Sequence, residues 1–357
     1  MNKPAISVVM PSYNHGRYVE ACIEAFLGQD FQDFELIIID DASTDDNVGR
    51  IRRYADKRIN LMVRTKNCGV AAGMCEGFRL AKADLIAFFA TDDLPAPGYL
   101  SSALRVMECS PGAVAAYFPL RKIDEKGEIT GEVCSLPLGV GRFEVLKRSF
   151  KEGNQLPSPG MVMRRDAALS TLVPTGVSQY SDWILNNRLL LQGDIVFAPD
   201  GLVLYRVSSA SLSARSDKAI SREAAETRLM MDDFLSISTI AQVREIFGED
   251  ADEFAHLSDV HVPYVLGRLA IGSGYHEKRC WGYETIMRHV SQSGCAASLA
   301  ESAGFTYKEL MALAPVLEGS PVKEINDLRR RLKRQKRVSA ILAGLFILAC
   351  WYLFRGY

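Results

Sequence analysis

Residues 5–14 read AISVVMPSYN, residues 36–46 read LIIIDDASTDD, and residues 85–93 read LIAFFATDD. Each opens as a short apolar run rich in β-branched or aromatic side chains. Such a run suits a strand buried on both faces of a sheet. Each then stops at small polar residues or acids: Pro11-Ser12-Tyr13-Asn14, Asp40-Asp41, and Thr91-Asp92-Asp93. Between these runs lie stretches with helical spacing, Tyr18–Leu27, Val48–Ala55 and Val70–Ala81. Asn60–Val63 adds a further short strand, and Ala113–Phe118 follows the helical stretch Tyr99–Met107. This alternation predicts an α/β fold, a mixed but mostly parallel Rossmann-like sheet with helices on both faces. Ligands of such sheets bind beyond the carboxyl ends of the strands, and the acids fall at those ends.

The chain of 357 residues is long enough for a catalytic domain and a second module. Its net charge of −1 hides an asymmetry: the residues from Arg329 onward hold eight Lys or Arg and no acid, so residues 1–328 carry −9. An acidic body argues against a nucleic-acid partner. The eight cysteines are scattered, with no CxxC pair and no histidine at zinc-finger spacing, which fits single thiols in a reducing compartment. The N-terminal residues run straight into a strand pattern without a signal-peptide stretch, so the body is expected to stay inside the cell.

Past residue 120 the pattern is mixed and punctuated by Gly and Pro, with a helix expected over Asp182–Gln192 and a serine-rich loop over Ser208–Ser216. Residues 216–320 read as an all-α module. Val322, Ile325, Leu328 and Leu332 then form an apolar stripe, followed by the basic block Arg329–Arg337. Val338–Phe354 carries no charge over 17 residues, a span of about 25 Å as a helix. Trp351 and Tyr352 suit a membrane interface. These features predict an amphipathic, basic juxtamembrane helix over 321–337 and a membrane-spanning or membrane-anchoring helix over 338–354. The positive-inside rule then places the catalytic body on the cytoplasmic face of the inner membrane. The stripe also reads as a short coiled-coil seam, which would make the chain a homo-oligomer through its C-terminal helices.

The acids carry the chemistry. Two carboxylate clusters at neighbouring strand ends repel each other unless a cation or ligand donors fill the gap. A hard divalent cation takes carboxylate oxygens together with substrate phosphates. The alternative is helix capping, by Ser43 or Asp45 after the second strand and by Asp92 or Asp93 after the fourth. A dinucleotide oxidoreductase is excluded, because the turn after the first strand is Pro-Ser-Tyr-Asn-His-Gly and lacks the glycine-rich fingerprint.

The order of these motifs (PSYN, DDASTD, Asn67-Cys68-Gly69, TDD) resembles the family-two inverting glycosyltransferases of the GT-A fold, over residues 5–215. The resemblance implies a GT-A domain at 1–215 that moves a sugar from a nucleotide-sugar, UDP favoured over GDP or dTDP, to a hydroxyl acceptor. It implies nucleotide-sugar contacts from Pro11, Ser12, Tyr13, Asn14, Asp40, Asp41, Asn67, Gly69, Asp92 and Arg206. It implies Mn2+ or Mg2+ on Asp92 and Asp93, and Asp182 as catalytic base within Ser181-Asp182-Trp183. Gln155–Gly160 would face the acceptor. Three positions depart from the family pattern: Ala90 for an aspartate, Ser181 for a glutamate, and Ser208 for a histidine. The tail points to a lipid-linked or cell-surface polysaccharide precursor as acceptor. The rival reading is a catalytically silent scaffold of a membrane-associated glycan-assembly complex.

Overall fold

The structure, a computed structural model, describes residues 3–134, 139–207 and 217–317. Five strands come first: β1 (Ile6–Ser12), β2 (Phe34–Asp40), β3 (Ile59–Val63), β4 (Leu85–Phe88) and the two-residue β5 (Leu94–Pro95). Then come β6 (Ala113–Tyr117), β7 (Leu120–Ile123), β8 (Ile129–Cys134), β9 (Val162–Arg164), β10 (Asp194–Phe197) and β11 (Val203–Arg206). The main sheet has the order β10-β6-β9-β4-β1-β2-β3. Its strands run parallel except β9, which lies antiparallel between β4 and β6. A smaller sheet, β5-β11-β7-β8, stands beside it. The mixed, mostly parallel GT-A-like sheet expected from the sequence is therefore present.

Helices α1 (Gly16–Leu27), α2 (Asn47–Ile51), α3 (Val70–Leu80), α4 (Tyr99–Cys109), α5 (Arg142–Lys151), α6 (Arg165–Ser170) and α7 (Ser181–Gln192) surround the main sheet. β1 and β2 are buried along their whole lengths, which is why they read as unbroken apolar runs. On one face Val8, Met10 and Ile38 pack under α1 and α4, where Phe26, Phe89, Tyr99 and Phe118 make edge-to-face contacts. On the other face Val9, Ile37 and Ile39 meet α3, and Met163 meets α6 and α7.

The C-terminal helices continue that second core. They are α8 (Asp217–Asp232), α9 (Ile240–Phe247), α10 (Val262–Ile271), α11 (His276–Val290), α12 (Cys295–Ala303) and α13 (Tyr307–Leu313). Phe150 of α5 stacks edge-on against Phe234, Phe247 and Trp281, with ring centroids 4.8, 4.9 and 6.3 Å away. The helical region thus shares one apolar core with the sheet domain.

The membrane-helix part of the expected fold is corrected. Among the described residues no helix is long and apolar enough to cross a membrane. The longest, α8 at 16 residues and α11 at 15, fall short of a bilayer core, roughly 30 Å, and carry charged faces. Residues 338–354, on which that expectation rested, lie outside the described residues, as do 318–337 and the loop 208–216.

Gly77 shows how tightly α3 is laid on β1. A methyl group there would sit 2.2 Å from Val9 Cγ1, on a fully buried strand. Gly73, one turn earlier, stands 3.3 Å from Pro11 by the same measure. Alanine in an exposed helix position stabilises relative to glycine. Here the sign reverses, because neither partner can move. Gly77→Ala is expected to destabilise the protein by roughly 1–3 kcal/mol, read as a lower urea midpoint.

Candidate active site

The ends of β1, β2 and β4 lie at one edge, and their loops are sewn together by side chains. Asn14 takes a left-handed backbone (φ 55°) after β1, and Ala42 does the same (φ 61°) after β2. The Asn14 N–H donates to Ser43 Oγ at 2.9 Å, and Asn14 Oδ1 accepts from the Thr44 N–H at 2.8 Å. Asp40 is fully buried. It accepts from the Ser43 N–H (3.0 Å) and from Asn47 Nδ2 (2.7 Å). The same Asn47 amide donates to Ser12 Oγ at 2.9 Å, which also accepts from the Thr91 hydroxyl at 2.7 Å. Thr91 Oγ1 in turn lies 2.8 Å from His15 Nδ1. One buried polar chain thus runs from β2 through β1 to the loop after β4.

Asp41 is equally engaged. Its carboxylate accepts from the N–H groups of Cys68 (2.9 Å) and Gly69 (2.7 Å) and pairs with Arg64 at 3.0 Å. Arg64 also grips Glu76 of α3. The acids after β2 are therefore balanced by protein donors, and the charge-repulsion argument for a cation does not extend to them. The capping alternative holds for Asp45, which receives the N–H of Asn47, the first residue of α2, and that of Gly16, the first of α1, but not for the acids after β4. Helix α4 starts behind Gly98, well past Asp92 and Asp93.

Asp92 and Asp93 differ. The Asp92 side chain is 21% exposed and lies 3.7 Å from His15 Nδ1. Asp93 is 1% exposed; its Oδ1 accepts the Arg206 N–H at 2.8 Å, and its Oδ2 is buried with no partner. Burial first, and then the charge of Asp92, push the Asp93 carboxyl well above the usual range. Arg206 braces this corner. It donates from Nε to Asp92 O and from Nη1 to Asp124 O, both at 2.7 Å, and its guanidinium lies 4.4 Å from the Tyr18 ring centre.

The chemistry of this pair suits a divalent cation: two adjacent carboxylates, one oxygen of them orphaned, with no cationic side chain inserted between. No group of three or more His, Cys, Asp or Glu that could hold a metal occurs among the described residues. The protein would then supply few ligands and a substrate diphosphate the rest.

Asp182 stands in the first turn of α7, half-buried. Its Oδ1 accepts the Trp183 N–H at 2.7 Å, and Asn154 Nδ2 approaches its Oδ2 at 3.5 Å. Asn154 also accepts from Asn186, which accepts from the Tyr117 hydroxyl at 2.9 Å. Burial raises the Asp182 carboxyl to about 6, with a smaller push from Glu226. Beneath it the Trp183 indole donates to Ser149 Oγ at 2.6 Å, and buried Lys278 donates to Ser149 O at 2.8 Å. Burial holds the Lys278 ammonium down, at about 7.

The loops after β1, β2 and β3 bring Pro11, Ser12, Tyr13, Asn14, Asp40, Asp41, Asn67 and Gly69 to one cluster. Tyr13, Asn14 and Asn67 are its exposed members, whereas Ser12 and Asp40 face inward. Asp92, Asp93 and Arg206 form a second cluster, joined to the first through Thr91. Ser208 lies outside the described residues. The motifs gave no hint of Asn47, Asn154 or Glu226, and named Thr91 only as part of Thr-Asp-Asp, without its partners Ser12 and His15.

Asp182 generates a stability prediction. Its folded pKa of about 6 exceeds the unfolded value of about 3.9, so the native state holds the extra proton and loses stability as pH rises between those values. Asp182→Asn removes that penalty. The variant is expected to melt higher than the parent at pH 8 and at the same temperature near pH 4, read by thermal unfolding across pH.

Residues 7–172 match the sequence profile of Glycosyl transferase family 2. The chain is 37% identical over 220 residues to glycosyltransferase GlyG of Streptococcus pneumoniae, covering 58% of this chain and 72% of that protein. It spans 44% of the length of a Haemophilus influenzae relative and 58% of a Mycobacterium tuberculosis one. Among solved structures, S. aureus TarS 1–349 superposes with a TM-score of 0.56 at 15% identity, covering 85% of this chain and 92% of that one. A mannosyltransferase from Pyrobaculum calidifontis gives 0.50 at 16%, covering 88% and 86%. These two likenesses bear on the fold, whereas the profile match and the GlyG alignment bear on descent: the chain belongs to glycosyltransferase family 2.

Proposed function

We propose that the chain transfers a sugar from a nucleotide-sugar to an acceptor hydroxyl with inversion, by a single displacement. The observation that carries this reading is Asp182. It is a carboxylate with a pKa near 6, held at a helix start with no cationic partner at its oxygens. A group tuned close to working pH is suited to take a proton from a hydroxyl as that hydroxyl attacks. An anion paired with Lys or Arg would be too weak a base.

The donor's nucleotide would lie against the exposed Tyr13 and Asn67, on the loops that Asn14, Asp40 and Asp41 hold in place. The relatives support the donor class: TarS has been solved with UDP and with UDP-GlcNAc, and the mannosyltransferase with GDP-Man and Mn2+. UDP is the favoured carrier. Asp92 and Asp93 would hold a divalent cation, Mn2+ or Mg2+. When bound, it supplies positive charge that stabilises the departing diphosphate. Arg206 fixes the Asp92 backbone, so its role is to set the corner rather than to reach the phosphates. Asn154 and the Gln155–Gly160 segment flank Asp182 and would face the acceptor, a hydroxyl of a glycan such as a lipid-linked or cell-surface polysaccharide precursor. We place the catalytic domain on the cytoplasmic side, a reading supported by the free thiols of Cys22, Cys68, Cys75, Cys109, Cys280 and Cys295.

The first test is binding of UDP, GDP and dTDP to the purified chain, with and without Mn2+. One nucleotide is expected to bind in a metal-dependent way. Asp92→Ala should weaken it by about tenfold or more, the equivalent of ~1.4 kcal/mol. Transfer should then rise with pH through about 6 and be lost in Asp182→Asn. A chain that binds none of the three nucleotides would be the silent scaffold instead.

A further inference from the structure

Helix α7 begins without a cap of its own. Its N-cap position is Tyr180, whose side chain makes no capping hydrogen bond. The backbone N–H groups at a helix start need acceptors when they are buried. The N–H groups of the three residues just before the helix, Ser178, Gln179 and Tyr180, find theirs in the C-terminal helical region. Glu226, on α8, is buried. Its Oε1 accepts from the Ser178 N–H at 2.9 Å and the Ser178 hydroxyl at 3.1 Å. Its Oε2 accepts from the N–H groups of Gln179 at 2.7 Å and Tyr180 at 2.8 Å. Four donors from three consecutive residues converge on one carboxylate, two residues before Asp182. The region grips α7 a second time: Asp233, just past α8, takes the Arg188 guanidinium through both oxygens at 2.7–3.0 Å.

We propose that Glu226 is a positioning residue for Asp182: its carboxylate fixes residues 178–180, and so sets where the first turn of α7 presents the proposed base. The proposal rests on the reading of Asp182 as that base. The physical case is one of entropy and direction. A loop of Ser178-Gln179-Tyr180 has many backbone states, and hydrogen bonds to a charged acceptor, stronger than neutral ones, leave one of them. Beyond the N–H of Trp183 in its own first turn, the Asp182 carboxylate receives, among the described residues, a loose 3.5 Å contact from Asn154. Glu226 also acts at a distance. Its negative charge disfavours ionisation of Asp182, adding to the effect of burial. Tyr117 on β6 also faces Asp182, Glu223 and Glu226 both face Tyr180, and Lys278 lies 5.0 Å from the centre of the Trp183 ring.

The test is a double-mutant cycle on the full chain: parent, Asp182→Asn, Glu226→Gln and the double variant. Thermal unfolding is followed between about pH 4 and about pH 9, a range that brackets carboxylate titration. In the parent background, the stability gain of Asp182→Asn starts as pH passes the unfolded carboxyl's value and levels off once folded Asp182 has ionised, through about 6. In the Glu226→Gln background it should level off at a lower pH and at a smaller value. In parallel, nucleoside diphosphate release is measured with UDP-GlcNAc and with GDP-mannose. Glu226→Gln should lower kcat roughly tenfold or more, as expected for a displaced catalytic group, while donor KM stays within about twofold.

A strictly additive cycle, with kcat unchanged, would overturn the proposal. Coupling in the cycle with transfer surviving in Asp182→Asn would leave the geometry standing and remove Asp182 as the base. Should Glu226→Gln fail to fold, Glu226→Asp keeps the charge and shortens its reach. It should lower kcat while leaving in place the pH at which the gain levels off, and a kcat equal to the parent's would overturn the proposal. If neither variant folds, Glu226 is a determinant of the fold and the positioning role is discarded.

Discussion

Backbone N–H groups in the loops beyond a parallel sheet have no neighbouring strand to pair with. In this protein carboxylates, most of them buried, take them. Asp40 accepts from Ser43, Asp41 from Cys68 and Gly69, Asp45 from Gly16 and Asn47, Asp93 from Arg206, and Glu226 from Ser178, Gln179 and Tyr180. Asp41, Asp45 and Glu226 each tie a loop to another loop or a helix, Asp93 ties its loop to β11, and Asp40 closes the turn after β2. A hydrogen bond to a charged acceptor is stronger than a neutral one, and removing the acceptor would leave buried donors unmet. The site edge is rigid for that reason, although it is made of loops.

The same device sorts the acids into two kinds. Asp40, Asp41 and Glu226 are saturated by donors, so their charge is spent on holding structure. Asp93 and Asp182 are under-satisfied. Asp93 keeps one oxygen without a partner, and Asp182 has one short bond to its own neighbour's N–H. Burial without partners raises a carboxyl's proton affinity, which costs stability at neutral pH and leaves a group with unspent capacity to bind or to accept a proton. Structure and chemistry therefore draw on the same residue type, separated by how many donors each carboxylate has found.

The packing explains how distant segments reach one site. Phe150 is the hinge of the second core, touching Phe234, Phe247 and Trp281 from three different segments. That contact seats α8 and α11 against α7, and so delivers Glu226 and Lys278 to the neighbourhood of Asp182. A helical region that looked without chemistry in its sequence ends up bracing the catalytic half.

Much was legible in the sequence. The buried strands β1, β2 and β4 were plain, because a strand covered on both faces must be apolar throughout. The acids at their ends followed from topology, since parallel strands finish at one edge. The strands β7 to β11 were not legible, being three to six residues long, with no periodic signal. The order of strands, the antiparallel insertion of β9, and the pairing of each acid with its backbone donors were decided only by the tertiary structure. The physical reason is that a carboxylate's role depends on its neighbours in space. The chain spells out which residues are acids, and the fold alone determines which of them are left wanting a partner.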